Sequence, residues 1–139
     1  MAQYDITYQC GHTITEQLYG KHTERQRRIE AAQYRLCPDC YRAQQLAKAT
    51  EANAELPALT GSEKQISWAE QIRAEIIGEL IELENVVAAS DATGPDVEAK
   101  KLQIAAAAAT LRANTSATYW IDNRDRSARL LINAIIKEA

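Results

Sequence analysis

The chain has 139 residues, of which 46% are hydrophobic and none is phenylalanine, and it carries a formal net charge of -3. This length allows one compact domain, or a small metal-binding module joined to a helical body. No apolar run approaches the roughly 20 residues that a membrane-spanning helix needs, and the N-terminus lacks the pattern of a signal peptide, so we expect a cytoplasmic protein.

The first elements predicted along the chain are a β-hairpin and two helices. Apolar and polar residues alternate through the N-terminal region, which is typical of strands with one buried face; the apolar positions are Tyr4, Ile6, Tyr8, Ile14 and Leu18. Thr23 is then suited to cap a helix that runs to about Leu36. Pro38 fits the start of a second helix, and residues 41–53 contain no helix breaker.

Three further helices are predicted after the segment 55–61, which has the proline, threonine and glycine of a linker. Ser62 and Gln65 form a capping-box pattern at the start of the first of them. Apolar residues at helical spacing, together with the breaks between them, predict helices over 62–89, 95–113 and 116–137.

These elements predict an α+β protein. We expect a zinc-bound β-hairpin with helices over residues 1–54, a linker over 55–61, and a mainly antiparallel three-helix bundle over 62–139. The bundle follows from helices that are joined by short loops.

Two short motifs place metal ligands in the N-terminal region. Cys37 and Cys40 form a Cys-x-x-Cys pair at a helix start, and Cys10-Gly-His12 lies at the predicted tip of the hairpin. Zinc needs four donors in a tetrahedron, so we predict structural Zn²⁺ held by these four residues, with His22 as an alternative to His12. The competing interpretation is that the three cysteines are small buried residues.

A ligand pair on a hairpin and another at a helix start resemble the zinc-ribbon and treble-clef modules over residues 3–48. This resemblance implies a metal that holds structure. Four protein ligands leave no open coordination position for activating water. With His12 bound to metal, no catalytic triad, phosphate-binding glycine loop or carboxylate pair can be assembled, so we expect no enzymatic activity.

A basic set of side chains follows one face of the first predicted helix. The region up to Lys48 has seven Lys or Arg against five Asp or Glu, whereas the rest has nine against fourteen. The basic set could contact phosphates in a nucleic-acid-binding or transcription-regulatory protein, or could simply be a solvated face; it consists of Lys21, Arg25, Arg28 and Arg35.

The long helix 62–89 carries an acidic face made of Glu75, Glu79 and Glu82. Such a face could dock on a basic protein, although a solvated face is the simpler interpretation. Because the back half is acidic, we expect a protein partner, with direct nucleic-acid binding as the alternative.

Segments 62–73 and 119–124 each place a tryptophan near a helix start with an arginine soon after. With the zinc motifs, they resemble a group of small zinc-ribbon proteins from bacteria, phages and mobile elements. This resemblance implies an inhibitor of host defence machinery such as CRISPR nucleases. The predicted partner-binding residues, which could instead be core residues or ion pairs, are Trp68, Arg73, Trp120, Asp122 and Arg124.

Overall fold

A computed structural model describes residues 2–139. Along the chain it contains strands β1 (Ala2–Thr7) and β2 (Thr13–Leu18), followed by helices α1 (His22–Ala32), α2 (Pro38–Ala52), α3 (Glu63–Ala89), α4 (Pro95–Arg112), α5 (Ala117–Asp122) and α6 (Ala128–Glu138). The chain divides into two compact units, an N-terminal unit that ends at Gln45 and a C-terminal unit that begins at Leu46. The predicted α+β class is confirmed.

The N-terminal unit is built on the predicted hairpin. Strands β1 and β2 pair antiparallel with Ile6 opposite Ile14, and α1 packs on β1. Its small core consists of Ile6, Tyr8, Leu18, Ala32 and Cys37. So few buried apolar side chains rarely stabilise a fold by themselves, and small modules of this kind are often held by a metal or by disulfides.

Helix α1 is shifted and shorter than the predicted helix 23–36. Lys21 occupies the N-cap position, so Thr23 lies inside the first turn and the predicted cap is wrong. Before Leu36 the chain leaves the helix, because the carbonyl of Arg35 accepts a hydrogen bond from the backbone N–H of Gln9 at 2.8 Å. This bond ties the end of the α1 turn to the hairpin.

The C-terminal unit is organised around α3, whose predicted capping box is confirmed. The Ser62 hydroxyl accepts from the backbone N–H of Gln65 at 3.2 Å, and the Gln65 side chain accepts from the Ser62 N–H at 3.1 Å. Helix α3 packs against α5 and α6, and α4 packs against α6. The core includes Leu59 from the segment predicted as a linker, together with Ile76, Leu80, Leu111, Trp120, Leu131 and Ile132.

The predicted single helix 116–137 is instead two helices, α5 and α6, so residues 62–139 form four helices where three were expected. The side-chain amide of Asn123 donates to the carbonyl of Tyr119 at 2.7 Å. The Ser127 hydroxyl then accepts from the backbone N–H of Leu130 at 3.3 Å. Asparagine and serine bond to nearby backbone in this way at helix ends, so one helix stops and another starts.

Candidate metal centre

The four predicted ligands meet in one cluster. The ligand atoms of Cys10, His12, Cys37 and Cys40 all lie within 4.8 Å of one another. The β1–β2 turn supplies Cys10 and His12, while Cys37 directly precedes α2 and Cys40 lies in its first turn. Cys37 is buried, Cys10 and Cys40 are half-buried and His12 is exposed.

Distances inside the cluster fit tetrahedral zinc. His12 Nδ1 lies 3.3 Å from Cys10 Sγ, 3.6 Å from Cys37 Sγ and 3.3 Å from Cys40 Sγ. A zinc ion with Zn–S of about 2.3 Å and Zn–N of about 2.0 Å in a tetrahedron would hold nitrogen and sulfur about 3.5 Å apart. The donor set therefore matches a Cys₃His zinc site, with Nδ1 as the histidine ligand atom.

The hairpin turn is shaped to present its two ligands. Gly11 adopts φ of 87°, a left-handed conformation that favours glycine. The backbone N–H of Gly11 donates to the carbonyl of Tyr8 at 2.9 Å, and the N–H of Tyr8 donates to the carbonyl of His12 at 3.0 Å. These bonds close a tight turn on which Cys10 and His12 flank the glycine.

Backbone amides also point at the sulfur atoms. The N–H of Cys37 donates to Cys10 Sγ at 3.5 Å, and the N–H of Cys40 donates to Cys37 Sγ at 3.4 Å. Hydrogen bonds of this kind stabilise thiolates, which are the form of cysteine that binds metal. These two hydrogen bonds therefore favour the thiolate forms of Cys10 and Cys37, which a metal ion requires.

These contacts give the thiols unequal acidities. The N–H of Cys37, followed by the backbone of His12, lowers the pKa of Cys10 to about 6. The hydrogen bond with the Cys37 side chain and then burial raise the pKa of Cys40 to about 12. One thiolate disfavours the ionisation of its close neighbours. A divalent cation removes this repulsion and stabilises all three thiolates.

His22, the alternative ligand, is the first residue of α1 and is exposed. It is not part of the cluster, which contains His12. Four protein donors satisfy the tetrahedral preference of zinc, so the arrangement suits a structural ion.

The four residues of the predicted basic face have different surroundings. Lys21 is exposed. The guanidinium of Arg25 lies over the ring of Tyr4, 5.8 Å from its centroid. Arg28 and Arg35 line one cavity of about 290 Å³ between the hairpin and α1. The structure therefore brings two of the four basic side chains together.

Two of the predicted partner-contact residues lie inside the C-terminal unit. Trp120 has no exposed surface, and its ring N–H donates to the carbonyl of Asn114 at 3.1 Å. Arg73 is only 1% exposed. No ion pair joins Asp122 to Arg73 or to Arg124 within residues 2–139. Their positions match the core role that was the alternative to partner contact.

Other predicted contact residues lie on the surface. Trp68 is 49% exposed, and the Arg124 guanidinium lies over its ring at 5.3 Å from the centroid. The remaining acidic residues, Glu75, Glu79, Glu82 and Asp122, are exposed. One of these carboxylates, that of Glu79, accepts the backbone N–H of Ala128 at 2.9 Å and so has a structural task at the start of α6.

Sequence reasoning missed a groove beside the metal centre. Tyr8, Gln9 and Gln44 line it together with Tyr34, Arg35 and Tyr41. The available signal was local, since Gln9 directly precedes the ligand Cys10 and Tyr41 directly follows the ligand Cys40. Side chains next to metal ligands are held in fixed positions by the same backbone.

Comparison with known protein families, with curated protein sequences and with solved structures finds no match for this chain. No helix within residues 2–139 combines the length and the apolarity that a membrane crossing requires.

Proposed function

We propose that the protein is a non-enzymatic protein-interaction module, stabilised by zinc in its N-terminal unit, that binds a protein partner through one face of α3. The observation that carries this proposal is Trp68, a large aromatic side chain that is 49% exposed and has Arg124 stacked over its ring. Tryptophan and arginine are the side chains most often found at energetic centres of protein interfaces.

Trp68 belongs to a continuous surface along α3. Glu75, Glu79 and Glu82 follow it at spacings of seven, four and three residues. At 3.6 residues per turn these four side chains fall within about 60° of the helix circumference. We call this surface the α3 face; it combines an aromatic anchor with a line of exposed carboxylates.

The charge of the α3 face indicates the chemistry of the partner. Exposed carboxylates in a row attract a basic surface and accelerate association with it. Glu79 is partly engaged by the N–H of Ala128, so Glu75 and Glu82 are the carboxylates available to a partner. A protein with a basic nucleic-acid channel is the partner class that we propose.

The target within this class is proposed to be host defence machinery, such as a CRISPR nuclease. Its support is the resemblance of segments 62–73 and 119–124 to small zinc-ribbon proteins of bacteria, phages and mobile elements. An acidic helix face would compete with nucleic acid for a basic channel. The metal centre takes no part in chemistry under this proposal, because four protein donors fill its coordination.

Affinity purification of the tagged, zinc-loaded protein from a bacterial lysate, with and without nuclease treatment, tests the proposal. We expect a stoichiometric, nuclease-resistant protein partner. The Glu75→Lys/Glu82→Lys variant should lose it, and Trp68→Ala should weaken the purified complex by about 30-fold, as for an interface centre worth about 2 kcal/mol.

The matched control is Glu51→Lys/Asp91→Lys, which changes the net charge equally at exposed positions off α3. It should retain the partner. Equal recovery of the partner by both double variants would contradict the α3 face, and recovery of nucleic acid alone would contradict the proposed partner class.

A further inference from the structure

An open groove of about 780 Å³ lies in the N-terminal unit beside the metal centre. Its polar and aromatic walls come from Tyr8, Gln9, Tyr34, Arg35, Tyr41 and Gln44. All six residues lie near a ligand in the chain or in the small core around the metal centre. The groove is therefore a feature that depends on the zinc fold.

Two aromatic rings are left in water at this groove. Tyr34 is 80% exposed and Tyr41 is 56% exposed. Neither ring is needed to fill the small core of the unit, which buries Tyr8 instead. Exposed aromatic rings in an open groove offer flat faces on which unpaired bases stack. The side-chain amides of Gln9 and Gln44 add donors and acceptors that match base edges.

Positive charge lies along the same groove. Arg35 and Tyr8 also line the adjoining cavity of about 290 Å³, which Arg28 and Glu16 share. No ion pair engages Arg28 or Arg35 in the part of the chain that the structure describes. The Glu16 carboxylate accepts the hydroxyl of Tyr8 at 3.2 Å. The cavity thus keeps a net positive charge beside Glu16, and two guanidinium groups without an ion pair among the described residues face it and can bind phosphate.

Asp39, the carboxylate nearest in sequence to Tyr41, also has a cationic partner. Asp39 lies 3.6 Å from the guanidinium of Arg42. The groove is fixed on its other side by the backbone bond from Gln9 to Arg35 at 2.8 Å, which joins the two halves of the metal site. Pre-formed walls reduce the entropy lost on binding a flexible strand.

From this arrangement we infer that the groove binds single-stranded nucleic acid, with unpaired bases stacked on Tyr34 and Tyr41 and flanking phosphates at Arg28 and Arg35. A duplex keeps its bases stacked on one another, so it offers no free base face to the two tyrosines. The free arginines favour a phosphate backbone over an uncharged peptide. This function is additional to protein binding by the α3 face, which lies in the other unit.

Fluorescence anisotropy on the zinc-loaded full chain tests the inference, with labelled 12-nucleotide single strands of DNA and RNA and a duplex of the same sequence as probes. We expect at least one single strand to bind at least tenfold more tightly than the duplex. Tyr34→Ala/Tyr41→Ala should weaken binding at least tenfold, while Tyr34→Phe/Tyr41→Phe should stay within about twofold because stacking is retained.

The phosphate contacts have a separate readout. Arg28→Gln/Arg35→Gln should weaken binding and reduce the slope of log affinity against log salt by about 1.4, since each phosphate contact with a single strand contributes about 0.7. Matched controls are Tyr19→Ala, at a tyrosine 67% exposed outside the groove, and Arg27→Gln on the exposed surface of α1. Both should bind as the parent does.

Zinc content and circular dichroism establish that each variant is folded. If the double alanine variant loses zinc, Tyr34→Ala alone replaces it, because that ring is almost free of contacts. Absence of binding to both single strands, equal affinity for the duplex, or equal affinities of the groove and control variants would each overturn the inference.

Discussion

Arg73 carries a charge inside the C-terminal unit. It is 1% exposed, and within the described residues its Nε and Nη2 atoms have no hydrogen-bond partner. Burial lowers the pKa of Arg73, against the opposing influence of Glu70. The Glu70 carboxylate itself accepts from the side-chain amide of Asn53 at 2.5 Å. A guanidinium withdrawn from water, with two of its three nitrogen atoms lacking acceptors, destabilises the fold relative to an apolar side chain in the same place.

We therefore predict that Arg73→Met raises the free energy of unfolding by about 1–3 kcal/mol, the usual penalty for leaving buried polar groups unpaired. Urea unfolding followed by tryptophan fluorescence measures this, since both tryptophans lie in the C-terminal unit. Arg129→Met, at an exposed position on α6, should change stability by less than about 0.5 kcal/mol. A loss of stability in Arg73→Met larger than in this control would show that Arg73 has a stabilising partner.

Single functional residues could be predicted where they are close neighbours in the sequence. The Cys-x-x-Cys and Cys-Gly-His spacings identified the four residues of the candidate metal centre because each pair is set by one tight turn. Arg73 was assigned to a contact surface although it lies seven residues from both Ile66 and Leu80 on the buried side of α3. The contact role was predicted because arginine is a frequent binding anchor, whereas the helical period indicates the burial that the structure has.

At the scale of elements, the start of α6 depends on a residue far away in sequence. The Glu79 carboxylate accepts the backbone N–H of Ala128 at 2.9 Å, while the Ser127 hydroxyl accepts from Leu130. A carboxylate at a helix N-terminus satisfies an otherwise unpaired donor and interacts favourably with the helix dipole.

Glu79→Ala is expected to lower the free energy of unfolding by about 1 kcal/mol, the typical loss when a helix N-terminal partner is removed. Chemical denaturation of the zinc-loaded protein provides the measurement. Glu82→Ala, at an exposed position on the same helix face, should change stability by less than about 0.5 kcal/mol. Equal stabilities of the two variants would exclude the capping role.

The periodicity of the sequence predicted the hairpin and α3, since both have a regular buried face and clear end signals. It did not predict the break between α5 and α6. Residues 116–137 have no proline or glycine, and the break is stabilised by Asn123, Ser127 and the remote carboxylate of Glu79. A contact between residues so distant in sequence cannot be read from local pattern.

For the whole molecule, we expect the metal to stabilise the N-terminal unit far more than the C-terminal unit. Among residues 2–45, the N-terminal unit has a core of five buried residues, one of which is the candidate ligand Cys37. The C-terminal unit has its own larger core, which contains Trp120 and the buried faces of α3 and α6. Metal binding and folding are coupled in small modules whose cores are insufficient alone.

Chelation of zinc should therefore unfold the N-terminal unit and leave the C-terminal unit folded. Limited trypsin digestion is expected to degrade the chain up to about Gln45 and to spare a fragment that retains both tryptophans. Tryptophan fluorescence should stay unchanged, and added Zn²⁺ should restore protease resistance. A chelator-induced change in tryptophan emission would contradict independent stability of the C-terminal unit.

Composition and ligand spacing predicted a metal-binding N-terminal region and a helical C-terminal region. The cysteines all lie in the first 40 residues, and the alanine-rich helices follow. The surfaces were harder to predict. Trp68 and Arg124 meet only in the folded chain, and the groove joins Gln9 to residues around Arg35 and Tyr41. Such sites depend on tertiary contacts, which the spacing of apolar residues along the sequence does not specify.

X-ray absorption spectroscopy at the zinc edge, on protein purified without added metal, tests the closed Cys₃His site most directly. We expect one zinc per chain with three sulfur neighbours at about 2.3 Å and a single light-atom neighbour at about 2.0 Å, which the multiple scattering of its imidazole ring identifies as histidine. Folded protein without zinc, or a zinc ion with fewer than three sulfur neighbours or with a second light-atom neighbour, would contradict the closed Cys₃His site.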